Sequence, residues 1–267
     1  MTIAASEFDW VADLVRRETS IVLGAGKEYL VETRLTPLAY DAGELRVEDW
    51  VRRVRFGGTP AQRRAIIEAL TTNETSWFRD APVFDVLRGT VLPTLFAGRR
   101  SGPVRVWSAA ASTGQEAYSM AMLCHELDPH HRVEILGTDV AGAVVEQAAA
   151  GRYDRLGVAR GLTPQQRSTY FRETAGGWQI EPTLKRRVSF RTLNLARPIV
   201  GLPKMDLVLL RNVLIYFDAE TRSEVLRRVR DVIAPDGWLV LGTAESAAAT
   251  DGFTGERVGL VTVYRPS

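Results

Sequence analysis

The stretch that most constrains this chain is Arg105–Leu127, RVWSAAASTGQEAYSMAMLCHEL. It reads as a short strand (Arg105, Val106, Trp107), a turn of small residues from Ala109 to Gly114, and a helix from Gln115. Ala117, Ala121, Met122, Cys124 and Leu127 have the spacing of one buried helical stripe. A strand that feeds a tight small-residue turn and a helix N-terminus is how doubly wound α/β proteins offer backbone N–H groups to a nucleotide-like ligand. One glycine falls short of the three-glycine dinucleotide fingerprint. On this stretch alone, a helix packed closely on a strand explains the residues as well as a ligand loop does.

The residues downstream repeat the alternation. Val133–Asp139 reads as a strand ending in a carboxylate, followed by a helix over Val140–Ala150. Val188–Leu195 and the apolar Met205–Arg211 read as further strands, and Thr221–Ile233 as a helix. A Pro235-Asp236-Gly237 turn then precedes the strand Trp238–Gly242, and Val261–Arg265 is a last short strand. Parallel strands need crossovers, which these helices supply. No clear helix separates the final two strands, so they are expected to pair antiparallel at the far side of the sheet. Between Gly151 and Arg187 the alternation breaks. A capped helix start at Thr163-Pro164 and a Gly176-Gly177 pair between Tyr170-Phe171 and Trp178-Gln179-Ile180 suggest an inserted hairpin subdomain, about 152–187.

Residues up to about Leu70 carry helical periodicity only. Phe8, Val11, Leu14 and Val15 share a face, Lys27–Ala42 gives a second helix with Tyr29, Leu30, Leu35 and Leu38 as its apolar positions, and Val47–Val54 and Pro60–Leu70 give two more. Leu23–Glu28 fails as a phosphate loop, with Ile21 where the first glycine belongs and Glu28 where a Ser or Thr belongs. Its glycines are read as a turn. The expected division is therefore a helical domain over 1–72 and an α/β domain over 73–267.

A formal net charge of +2 gives no global field for nucleic acid. The longest apolar runs are too short to span a bilayer, and no signal peptide or internal disulfide is expected, since Cys124 is the only cysteine. A cytoplasmic protein is the expectation, with monomer as the default. Arg46, Arg52, Arg53, Arg55, Arg63 and Arg64 cluster within nineteen residues. They are either a solvated helix face or a contact for an acidic protein partner. His125, His130 and His131 lack the spacing of a metal site and are read as surface histidines at a helix end. No nucleophile elbow appears. Asp139 lies about 25 residues after the first turn, where an acidic side chain meets ribose hydroxyls in doubly wound folds, although it is also placed to cap the next helix. Thr71–Asp80, TTNETSWFRD, is an odd linker whose Trp77, Phe78 and Arg79 together suggest a ligand-facing segment.

Taken in order, TTNETSWFRD, RVWSAAASTGQEAYS, ILGTDV, LNL, LLRNVLIYFD and APDGWLVLGTAES resemble the chemotaxis receptor methyltransferase family, CheR. The helical first domain, with YLVETRL, matches in type. The resemblance implies a Rossmann-like class I methyltransferase sheet with an N-terminal all-helical domain and a small inserted β-subdomain. It implies S-adenosylmethionine as the methyl donor, S-adenosylhomocysteine as product, no metal, and transfer to glutamate carboxylates of an acidic, helical chemoreceptor. The family's cofactor positions fall on Asn73, Thr75, Arg79, Glu116, Asp139, Asn194, Leu195, Arg211 and Asn212, and those closest to the transferring methyl on Arg79 and Tyr216. Gln115 and Ala117 depart from the commoner Glu and Pro, and Trp77 replaces a usual Phe, but no polar contact is lost. Enteric members hold a longer glycine-bearing loop that docks on a receptor pentapeptide, whereas Thr174–Trp178 is several residues shorter, which implies independence of that tether. The same chemistry in a non-chemotactic sensory pathway, or a non-catalytic adenosylmethionine sensor, are the competing readings.

Overall fold

The alternation downstream of Val104 closes into a seven-stranded sheet. The computed structural model describes residues 3–99, 102–247 and 252–267. The chain divides into two units, one holding the residues up to Thr72 with Tyr216–Thr221, the other Asn73–Ile215 with Arg222–Ser267.

The first unit contains α1 (Ala5–Thr19), α2 (Glu28–Asp41), α3 (Val47–Gly57) and α4 (Pro60–Leu70). Its core joins Val11, Leu14, Val15, Val31, Leu35, Trp50, Val51, Val54, Ile66 and Leu70. Thr59 and Gln62 form a reciprocal capping box that starts α4, with Pro60 at the first helical position, where its missing N–H costs nothing. The buried stripe of α2 is Val31, Leu35 and Ala39. Tyr29, expected on that stripe, is 60 % exposed, because the helix turns its phenol outward.

In the second unit α5 (Ala81–Val86), a single π-turn (Leu87–Val91) and α6 (Leu92–Gly98) precede β1 (Val104–Ala109). Then come α7 (Gln115–Leu127), β2 (Val133–Asp139) and α8 (Gly142–Ala150). The insertion follows: β3 (Arg152–Tyr153), α9 (Arg155–Ala159), α10 (Pro164–Tyr170), β4 (Phe171–Thr174), β5 (Gly177–Ile180) and α11 (Pro182–Lys185). The chain returns through β6 (Val188–Thr192), β7 (Met205–Leu210), a 3-10 turn (Leu214–Tyr216), α12 (Ala219–Val232), β8 (Ile233–Leu241), β9 (Phe253–Val258) and β10 (Val261–Pro266). Of these, Tyr216–Thr221, the end of the 3-10 turn and the start of α12, count with the first unit.

The main sheet runs β6-β2-β1-β7-β8-β10-β9. Its first five strands are parallel, and β10 is antiparallel to both β8 and β9. The antiparallel closing pair agrees with the reading of the sequence. The strand β9 carries no sequence signal: its FTGERV has one buried residue, at an edge, and so no apolar alternation. The Pro235–Gly237 turn sits inside β8, as an irregularity where Met205 pairs with Ile233 but Leu207 with Trp238. The insertion carries its own three-stranded antiparallel sheet, β3-β5-β4, with only Ala175 and Gly176 between β4 and β5. Gly177 begins β5 at φ +136°, where an added Cβ would sit 2.4 Å from the Tyr153 carbonyl, so only glycine fits this hairpin.

From β1 the chain steps one way, to β2 and β6, and then returns to β7 on the other side of β1. Such a reversal opens a crevice at the carboxyl ends of the two strands. No helix covers the return from β6 to β7.

Candidate functional site

Side chains converge at the carboxyl ends of β1, β2 and β7. The loop after β1 is tight, and Ala110, Ser112 and Gly114 all have positive φ. Gly114 caps α7; a Cβ there would lie 2.9 Å from Ala148 and 3.1 Å from Phe190. The small residues are thus required by packing beneath the loop as well as by any ligand above it.

Asp139 ends β2 and is 8 % exposed. Its carboxylate accepts the Ser112 N–H at 2.9 Å and the Ala141 N–H at 3.1 Å. Burial pushes its pKa up, and backbone N–H groups of Ala141, Ser112 and Val140 oppose the rise. Asp139 therefore braces both the β1 loop and the start of α8. Two oxygens have about four lone-pair sites, so capacity remains for a ligand hydroxyl.

Arg211 follows β7, and its side chain is 1 % exposed. Its guanidinium donates to Glu116 at 2.8 Å, to Asp80 at 2.7 Å and to the Arg79 carbonyl at 2.7 Å, and lies 5.8 Å from the Phe84 ring centroid. Glu116, in the first turn of α7, also accepts from Ser108 at 2.7 Å. Arg211 is therefore spent on the protein, binding the 73–80 segment to the start of α7. Its Nε is buried and has no hydrogen-bond partner among the described residues.

That segment is itself strained, with Phe78 at φ 48° and Asp80 at φ 62°. The Asn73 carbonyl accepts from Ser112 Oγ at 2.7 Å, and Thr75 is half-buried. Arg79 is half-buried, donates to the Glu74 carbonyl at 3.0 Å and makes no ion pair among the described residues. Trp77 corrects the expectation of a wholly ligand-facing segment. It is 1 % exposed, donates to the Gly157 carbonyl at 2.6 Å and packs edge-on against Tyr153 and Phe171, so it anchors the segment to the core. Phe78 packs on Phe84.

Asn194 folds its Oδ1 onto the Ala196 N–H at 2.9 Å, and Leu195 is buried beside it. Asn212, at φ 59°, follows Arg211. Tyr216 is half-buried in the first unit, its carbonyl accepting from Val22 N at 3.0 Å. The structure thus joins Asn73 and Asp139 through Ser112, and brings Glu116, Asp80 and the Arg79 carbonyl together on the Arg211 guanidinium. Asp80 and Ser112 belong to this framework, and neither carries a sequence signal of its own.

Among the described residues no group of three or more His, Cys, Asp or Glu side chains could hold a metal ion. His131, expected on the surface, instead stacks on Phe96 at 4.1 Å with its Nε2 buried. Burial pushes the Cys124 thiol up to about 12, which leaves it inert.

The strand order is that of a Rossmann-like class I methyltransferase sheet. Residues 73–257 match the family described as "CheR methyltransferase, SAM binding domain", and residues 6–71 match "CheR methyltransferase, all-alpha domain". The chain belongs to the CheR methyltransferase family. It is 38 % identical over 255 residues to chemotaxis protein methyltransferase 1 of Pseudomonas aeruginosa, covering 92 % of each chain. It is 38 % identical over 272 residues to the chemotaxis protein methyltransferase of Vibrio anguillarum (99 % of this chain, 98 % of that one). With the Escherichia coli chemotaxis protein methyltransferase it shares 33 % over 253 residues (92 % and 86 %).

Removing one partner of a buried ion pair strands the others. Arg211→Ala is expected to lower stability by about 3 kcal/mol in urea unfolding, with Arg211→Lys recovering only part because it lacks the fork. A loss below about 1 kcal/mol would mean that Asp80 and Glu116 are solvated without it.

Proposed function

We propose that this chain transfers the methyl group of S-adenosylmethionine to glutamate side-chain carboxylates of chemoreceptors, giving methyl esters. The observation that carries this reading is Arg79, a guanidinium without an ionic partner among the described residues, on the segment that Arg211 fastens to the carboxyl end of β7. A cation there suits an anionic acceptor, and the relatives are named as chemotaxis methyltransferases. The residues suit the donor too. Small residues leave room over the β1 loop, Asp139 and Glu116 keep acceptor capacity for hydroxyl or ammonium groups, and Asn73, Thr75, Asn194, Leu195 and Asn212 would complete the surround. When bound, adenosylmethionine supplies an electrophilic methyl on a sulfonium centre.

A glutamate with its ordinary pKa of about 4.3 is already ionised at neutral pH, so no residue need remove a proton. The histidines agree with this, for they lie at or beyond the C-terminal end of α7, away from the strands' carboxyl ends. The chain's work is then alignment and exclusion of water. Arg79 can hold a carboxylate through two N–H bonds, and Tyr216, the family's other position near the transferring methyl, carries a phenol able to donate a hydrogen bond. Orientation more than tight binding is the useful outcome, because a clamp on the ground state would not speed transfer.

The arginine cluster divides. Arg52 pairs with Glu7, Glu48 and Asp49, Arg46 with Glu48, and Arg53 with Glu44. Arg55 lies over Phe56, 5.2 Å from its centroid. The first three serve the helical unit itself, which favours the solvated-face reading for them. Arg63 and Arg64 are exposed on α4 with no ion pair among the described residues, and they are the better candidates for an acidic receptor surface. The two-residue β4–β5 turn supports independence of a receptor pentapeptide.

Labelled adenosylmethionine incubated with receptor-containing membranes is expected to give base-labile label that releases methanol. Arg79→Ala should cut kcat far more than cofactor affinity; equal losses would reassign Arg79 to cofactor binding. Cofactor binding without any transfer would favour the sensor reading. Arg63→Glu with Arg64→Glu should raise KM for receptor and weaken its salt dependence; an unchanged KM would return both to the solvated surface. Titration calorimetry with a receptor-tail peptide should give no heat, and micromolar binding would sink the tether-free reading.

A further inference from the structure

The end of β7 is held by a carboxylate outside the family's cofactor positions. Glu245 lies in the loop after β8, and both of its oxygens are filled by backbone donors. Oε1 accepts from Val213 at 2.9 Å and Leu214 at 2.7 Å, and Oε2 from Asn212 at 2.7 Å and Gly242 at 2.8 Å. Four N–H groups on one carboxylate use about all of its lone pairs, so this group is not waiting for a ligand. The three successive donors Asn212, Val213 and Leu214 form a concave nest of the kind that binds anions, and the chain fills it with its own. Glu245 in turn is fixed by its own N–H, which donates to the Gly242 carbonyl at 2.9 Å.

The nest has a cost. Asn212 sits at φ 59°, a left-handed conformation that Asn adopts more readily than most L-residues but that its surroundings must still hold. Gly242 makes room: a Cβ there would lie 2.6 Å from Glu245 Oε2 and 2.8 Å from Asn212 Nδ2. The Asn212 side chain, the carboxylate and the neighbouring strand end are thus seated together. Without the charge, three N–H groups would turn toward water and Asn212 would relax to an ordinary backbone.

We propose that Glu245 is a positioning residue for adenosylmethionine, acting through Asn212 by holding the end of β7 in its left-handed turn. The inference rests on the cofactor reading given above. A purely structural role would lower the folded fraction and leave the affinity of folded molecules alone, and calorimetry separates the two, because stoichiometry reports the first and Kd the second.

The full chain, with Glu245→Gln, is titrated with S-adenosylhomocysteine. An amide can satisfy only one pair of donors and turns its own N–H at the other. The expected result is a Kd at least tenfold higher at near-normal stoichiometry. If Glu245→Gln does not fold, Glu245→Asp keeps the charge one methylene short and is expected to show a smaller loss in the same direction. In an Asn212→Ala background the effect of either change should shrink, since the residue acted upon is gone. A Kd within twofold of wild type in the folded variant, with only stoichiometry or Tm reduced, overturns the proposal. So does a full, additive loss in the Asn212→Ala background. Failure of the wild-type chain to bind S-adenosylhomocysteine would overturn the cofactor reading and this inference with it, a different result from binding that the variants leave untouched.

Discussion

The guanidinium of Arg211 is the interaction on which the site depends. It is almost wholly removed from water and meets two carboxylates and a carbonyl from the 73–80 segment and the start of α7. Bringing such a charge inside costs several kcal/mol, which is recovered only with well-placed partners. Because those partners come from separate stretches, the ion cannot be satisfied unless the segment lies against the sheet. A linker of TTNETSWFRD composition has no apolar periodicity to place it. Arg211 from one side and the Trp77 indole from the other do so.

Left-handed backbone gathers around the same place. Of the six non-glycine residues with positive φ among those described, Ser20 ends α1, and Phe78, Asp80, Ala110, Ser112 and Asn212 surround the crevice. For residues such as Phe78 and Ala110 that backbone is disfavoured by about 1–2 kcal/mol, while Asp80 and Asn212 tolerate it better. The hydrogen bonds found there answer that cost locally: Asp139 holds Ser112, Ser119 holds Phe78 through its N–H, and Glu245 holds Asn212. Backbone kept in such shapes is already organised before anything binds, which is what alignment of two reactants calls for.

Much of this was legible in the residues, and what was missed has a common cause. Strands such as Met205–Leu210, buried at every position, announce themselves by composition. The strand–turn–helix at Arg105–Leu127, the four helices and the hairpin at Gly176-Gly177 were readable from period and turn chemistry. Trp77 was misread because an aromatic beside an arginine looks alike whether it faces a ligand or the core; only the Gly157 carbonyl, far along the chain, decides it. Glu245 gave no signal of its own, since its partners lie more than thirty residues upstream, apart from Gly242. The basic cluster was open to two readings, and the pairings with Glu44, Glu48, Asp49 and the remote Glu7 favour the solvated face for Arg46, Arg52 and Arg53.

The return from β6 to β7 without a helix leaves its mark on the sheet. Strands β7 and β8 carry apolar side chains on both faces, as parallel strands usually do, whereas Glu134, Ser189 and Arg191 alternate with apolar neighbours along β2 and β6. On that face Arg105 and Glu134 pair at 3.4 Å, beside a shallow cavity of about 200 Å³ that the Gly201–Pro203 loop helps to line. Half of the sheet is thus held from two sides and half mainly from one, by α7 and α8. Asp139 ends β2 in one half and Asn212 follows β7 in the other. A molecule reaching from one to the other is, mechanically, a staple across the seam between them.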